Sequence, residues 1–290
     1  MIVISAILDS FGAPVIWQRR LSPTVFLDTC ALRRCAENEA LGARFLASLT
    51  RCGGTLVLSE LGYVEIGTLD DRRHALAAER FLDAALPRVF FVRFDPFAVM
   101  KQEIDLFNAG DRSAPEGDVP MLQRFAAASI RQLRLTFSGV LTGVHDRRVV
   151  MRGHLHGMAD SFIAGIEALR QRIDSEPEMH RQYVNGLADA KGLRSTRGIL
   201  RAFVGDLQAD RKNPISRNDA IDVLQAVVPG SCCDFVVLDK SWCARLRNTA
   251  DRLQRAGVDA RVARAFRVSE LSELIDVLEA FQAVAVNRAA

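Results

Sequence analysis

The chain has no cysteine pair in C-x-x-C spacing. Its six cysteines (Cys30, Cys35, Cys52, Cys232, Cys233 and Cys243) fall into no Cys/His pattern of zinc-site spacing. A disulfide framework and a structural zinc are thereby excluded as organising devices, and free thiols in a reducing compartment are expected. No apolar run approaches the ~20 residues that a membrane span needs, so no membrane partner is expected. Residues 2–8 are apolar, but Asp9 interrupts them and no basic segment precedes them. That argues against a secretory leader and for a cytoplasmic location. Internal repeats and low-complexity tracts are absent. Lysine is scarce: only Lys101, Lys191, Lys212 and Lys240 among 38 basic residues. The rest are arginines, whose forked donors suit phosphate or carboxylate. A net charge of +3 over 290 residues gives no strong field of one sign. What is present is ordinary for a soluble globular protein, with 49% apolar and 25% charged residues, and length enough for one large domain or two ordinary ones.

Five short apolar runs read as buried strands: Val25–Asp28, Thr55–Leu58, Val89–Phe94, Phe235–Leu238 and Val262–Phe266. Helical spacing separates them, over Ala36–Leu49, Leu61–Leu69, Arg72–Leu86, Phe97–Phe107, Asn218–Val228, Trp242–Ala256 and Ser269–Ala283. Strands alternating with helices predict a parallel sheet with helices on both faces. Residues 1–22 form an N-terminal extension holding a short strand or helix with a turn at Gly12-Ala13-Pro14, and 284–290 a tail. The alternation lapses over 108–213. There a loop at Asn108–Pro120 precedes helices at Met121–Phe137, Asp160–Ile173 (capped by Asp160), His180–Ala190 and Ser195–Ala209, with Gly139–His156 ambiguous. This stretch is expected to be a helical insertion or subdomain, splitting the α/β domain into 23–107 and 214–283.

Acidic residues stand out against this frame. Asp28 ends the first strand, Glu65 lies on the helix after the second, Asp222 lies on a helix with Asp219 one turn earlier, and Asp239 ends the fourth strand. Carboxylates at the carboxyl ends of parallel strands face one crevice. Several there repel one another unless cations join them, which predicts a divalent-metal site. Each also has a plainer reading: a turn for Asp28, a solvated helix face for Glu65, a helix's first turn for Asp219 and an N-cap for Asp239. Asp234, at the far end of its strand from Asp239, reads as structural.

Four segments carry a family resemblance. They are Phe26-Leu27-Asp28-Thr29, Ser59 with Glu65 six residues on, Asp222-Val223-Leu224-Gln225-Ala226, and Val236-Val237-Leu238-Asp239-Lys240-Ser241-Trp242. In this order they resemble the PIN-domain nucleases, over about residues 23–107 and 214–283. The chain departs from that pattern at Cys30, at Leu238 and in the length of 108–213. The resemblance implies a three-layer, PIN-like (Rossmann-like) α/β fold and metal-dependent endoribonuclease activity on RNA. It also implies Mg²⁺ or Mn²⁺ held by Asp28, Glu65, Asp222 and Asp239, with Asp219 a competitor of Asp222 for the third acidic position.

Substrate-binding candidates are Arg124, Arg131 and Arg134, which share one helical face, and Lys240 beside Asp239. An amphipathic helix with its arginines in solvent explains the same stripe. A protein inhibitor or a homodimer is compatible with the sequence. The rival readings are a non-catalytic PIN-like module binding RNA or protein, a DNA-directed phosphodiesterase using the same acids, and a nucleotide-binding or receiver-type domain. The last is weakened because Asp28-Thr29-Cys30-Ala31-Leu32 has no glycine to cradle a phosphate. His154-x-His156 lacks a third ligand, and no histidine is placed to activate Cys30 as a nucleophile.

Overall fold

The computed structural model describes residues 4–8, 14–109, 116–129, 135–176, 178, 195–258 and 260–289. Five parallel strands form the central sheet: β3 (Thr24–Leu27), β4 (Thr55–Ser59), β5 (Val89–Val92), β6 (Phe235–Leu238) and β7 (Arg264–Arg267). Their spatial order is β5-β4-β3-β6-β7. Four of them are buried along their whole length, as near-continuous apolar runs require when helices cover both faces. Side chains alternate between two cores. Val25, Leu27, Leu56, Leu58, Phe235 and Val237 enter one, and Phe26, Val57, Val236 and Leu238 enter the other.

The first core is closed by α1 (Thr29–Glu37), α2 (Glu39–Arg51), α4 (Arg72–Ala85) and α12 (Leu271–Ala289). On the opposite face lie α5 (Pro96–Asn108), α8 (Arg148–Ser175), α9 (Ser195–Ala209), α10 (Arg217–Cys232) and α11 (Lys240–Arg255). The helices α3 (Glu60–Gly67), α6 (Val119–Ser129) and α7 (Val140–Asp146) complete the α/β arrangement in three layers. Leu155, Phe162, Ile199 and Phe203, all from 108–213, share one core with Phe26, Val236 and Trp242. That segment, expected as an insertion or subdomain, therefore supplies part of the helical layer itself. Among the described residues no helix is long and apolar enough to cross a membrane.

Local differences from the sequence reading have local causes. The expected single helix Ala36–Leu49 is two helices, because Asn38 ends α1 through its N–H and starts α2 by accepting from Leu41 N–H at 3.0 Å. The N-terminal piece is a hairpin of β1 (Ile4–Leu8) and β2 (Pro14–Gln18). Its Gln18 amide exchanges hydrogen bonds with Phe91, donating to the carbonyl at 3.0 Å and accepting from the N–H at 2.9 Å, along the outer edge of β5. At the other edge, Arg247 donates to the Ala265 carbonyl at 2.7 and 3.0 Å. Of the helix expected over Met121–Phe137, Val119–Ser129 is described as helix, 130–134 lie outside the described residues, and 135–137 are not helical. There Asp83 accepts from the Thr136 hydroxyl and the Phe137 N–H. Gly139–His156 resolves into α7 and the start of α8, which meet at Arg147. Asp160 caps nothing: it lies inside α8 and forms a two-bond ion pair with Arg217 (2.7 and 2.8 Å). The expected helix His180–Ala190 lies outside the described residues.

Gly67 lets α7 pack against α3. A Cβ there would meet Val144 Cγ1 at 2.6 Å and Val144 Cβ at 2.8 Å. Gly143, on α7, faces open space. Gly67→Ala should therefore lower the unfolding free energy by about 1–3 kcal/mol, and Gly143→Ala should raise it by about 0.5–1 kcal/mol. Urea unfolding followed by circular dichroism checks both signs.

Candidate active site

Three of the parallel strands end in the same device. β3 runs into Asp28, whose carboxylate caps α1 by accepting from Ala31 N–H at 2.7 Å. β6 runs into Asp239, which caps α11 by accepting from Trp242 N–H at 2.8 Å. β4 ends at Ser59, which caps α3 through Gly62 N–H at 3.1 Å. A short side-chain acceptor leaving an extended strand satisfies the first free N–H groups of the next helix. The plain and functional readings of Asp28 and Asp239 are thus compatible, because capping engages one oxygen of each carboxylate.

Two more acids arrive on helices. Glu65 sits on the second turn of α3, where its Oε2 accepts from Thr29 Oγ1 at 2.5 Å and from Gln225 Nε2 at 2.7 Å. Asp222 sits on α10, where its Oδ2 accepts from the Trp242 indole N–H at 2.9 Å. Trp242 is buried against Phe203, with ring centroids 5.2 Å apart, and Arg245 lies over its ring. In Glu65, Asp222 and Asp239 the second oxygen accepts no hydrogen bond among the described residues.

The four carboxylates act on one another. Burial first, then the charges of Asp239 and Glu65, push Asp28 up to about 7, against the pull of the Ala31 and Asp239 N–H groups. Burial again, then the charges of Asp239, Glu65 and Asp28, push Asp222 up to about 8. Like charges held close in a half-buried crevice disfavour full ionisation. Cys30, exposed beside them, is pushed up to about 11 by burial and by Asp28 and Glu65, so its thiol stays protonated near neutral pH and is a poor nucleophile. All four donors are carboxylate oxygens, the ligand type that hard dications take. Among the described residues, however, no three His, Cys, Asp or Glu side chains already form a metal-holding group.

The other candidates stand differently. Asp219 is committed to the capping box of α10: Ser216 N–H donates to its Oδ2 at 3.1 Å and Ser216 Oγ at 2.7 Å. Arg124 pairs with Glu60 at the start of α3. Lys240 is exposed at the first turn of α11. Arg131 and Arg134 lie outside the described residues. His154 is exposed, and His156 lies beside Arg217. Asp234 is structural, accepting from Ser22 Oγ and from Thr24 N–H and Oγ1 at 2.8–2.9 Å. Sequence reasoning gave no role to Gln225, although it lies three residues after Asp222 and so on the same helical face.

Asp28 and Asp222 hold their protons to higher pH in the folded chain than in the unfolded one, where an aspartate ionises near ~3.9. The stability this contributes is complete below that value and is lost as pH rises through about 7 and about 8. In chelator, Tm should therefore fall between about pH 5 and about pH 9, and Asp222→Asn should flatten that fall. A Tm that climbs across this window in the unsubstituted protein would contradict the mutual repulsion.

No protein-family model matches the chain, and neither a curated protein nor a solved structure is significantly similar to it.

Proposed function

We propose that the crevice is the active centre of a PIN-like, metal-dependent endoribonuclease. The observation that carries this reading is the convergence of Asp28, Glu65, Asp222 and Asp239 from four separate segments. Burial, and then their mutual charges, hold Asp28 and Asp222 protonated to higher pH. A protein gains nothing in stability from such an arrangement, whereas anionic phosphodiester chemistry uses it. RNA rather than DNA follows from the family resemblance.

Asp28, Asp239, Asp222 and Glu65 would hold a Mg²⁺ or Mn²⁺ ion, which when bound neutralises phosphate charge and makes a water molecule acidic enough to attack. The chain's own groups do the rest. Thr29 and Gln225 fix one oxygen of Glu65 and leave the other to orient the attacking water. Trp242 does the same for Asp222. Capping ties Asp28 and Asp239 to rigid strand ends. The positive ends of α1, α3 and α11 lie at this same end of the sheet and favour the approach of a phosphate. Lys240 is exposed at the rim to meet the backbone.

A second reading, a PIN-like module that binds RNA or protein without cleaving, is favoured by one observation: the described acids do not yet form a metal-holding group. Incubating a mixed RNA pool with Mn²⁺ separates the two. Cleavage by the unsubstituted protein that drops on the order of 100-fold or more in Asp28→Asn and in Asp239→Asn supports the nuclease. No cleavage by any form sinks it. In calorimetry, Gln225→Leu should weaken Mn²⁺ binding about tenfold, as loss of a group that orients a ligand does.

A further inference from the structure

A groove of about 870 Å³ opens between α5, α8, α9 and α10, and the acidic crevice's residues do not line it. Its volume is that of a small-molecule site, roughly 300–1,000 Å³. Its walls are mostly apolar, with Phe94, Phe162, Met100 and Met158 among them. Phe97 on its rim is 48% exposed, with its ring 6.4 Å from that of Phe162. Unbranched, adaptable methionine side chains suit a flexible apolar guest.

Two features narrow what that guest is. Gly157 and Gly165, two turns apart on α8, both line the groove, and a Cβ at either would meet nothing within 4 Å. Glycine weakens a helix interior. Neither glycine serves the close approach of another element among the described residues, so what the pair provides is width. The second feature is charge. Arg197 lines the groove half-buried, with no hydrogen bond or ion pair among the described residues. Asp95, the acid in the lining, is engaged by the Phe97 and Ala98 N–H groups at the start of α5. Arg201, the other guanidinium in the lining, has a partner, so the charged head left uncommitted among the described lining residues is that of Arg197.

We infer that this groove binds an amphipathic carboxylate, with its aliphatic chain along α8 and its anionic head at Arg197. The inference is independent of the nuclease reading.

Calorimetric titration of the full chain with octanoate, decanoate and dodecanoate, each below its micelle concentration, tests it. One site per chain is expected, with affinity rising about fourfold per added methylene. Gly165→Leu should fill the groove and abolish dodecanoate binding. Gly157→Leu, which fills the same space from the next turns, should do so too and serves if the first variant melts early. Arg197→Gln should cost dodecanoate roughly tenfold while leaving octan-1-ol unaffected. Absence of saturable binding in the unsubstituted protein overturns the inference. So does binding that survives both glycine substitutions, or that is indifferent to Arg197. A second copy as occupant would appear in sedimentation as a dimer split by Gly165→Leu without carboxylate binding, and this too overturns it.

Discussion

The arrangement of the site depends on the direction of the strands. In a parallel sheet every strand delivers its C-terminal residue to one side, and every following helix presents its N-terminus there. Those helix starts need acceptors. Asp28, Ser59 and Asp239 supply them, and two of the three are carboxylates. Capping chemistry alone thus gathers negative charge at one end of β3 and β6, the neighbouring central strands. Glu65 and Asp222 add to it from one turn and more inside their helices. The protein tolerates the repulsion because each acid is anchored by a local donor: Thr29 and Gln225 for Glu65, the Trp242 indole for Asp222. Removing one acid relieves its neighbours, so the cluster is held together at a cost in stability.

The outer helices are tied to this centre by polar joints as well as by packing. Arg170, half-way along the second half of α8, donates to the Leu207 and Asp210 carbonyls at the end of α9. Thr196 at the start of α9 links Glu103 of α5 to Ser231 of α10. Arg217 joins the first turn of α10 to Asp160 in the middle of α8. These ties join the helices of the layer that packs over Phe26, Val236 and Trp242.

Much of the sheet was legible in the sequence because its signal is local. An apolar run bounded by polar residues marks the four strands buried along their length, and the fifth run, broken by exposed Arg264, is also a strand; all are shifted at their ends by no more than a residue or two. The placement of Asp28 and Asp239 was legible for a related reason, since strand direction fixes which end they occupy; Glu65 and Asp222 reach it from helices. Three kinds of information were not. The helix break at Asn38 depends on one amide choosing to cap rather than continue, which periodicity does not register. The fate of Asp219 was decided by Ser216, a competing partner three residues away. The share of 108–213 in the main core is a long-range fact: nothing in its helical spacing says that Phe162 and Phe203 pack into the same core as Val236.

Gln18 and Arg247 have an implication for assembly. An unprotected sheet border exposes alternate N–H and carbonyl groups that a foreign strand can zip onto. On one border the Gln18 amide imitates a neighbouring peptide for Phe91, and on the other a guanidinium occupies the Ala265 carbonyl. Both margins are met by the same polypeptide, the β5 margin by the backbone of 116–118 as well as by Gln18. Addition of a foreign strand at Phe91 and at Ala265 is thereby obstructed.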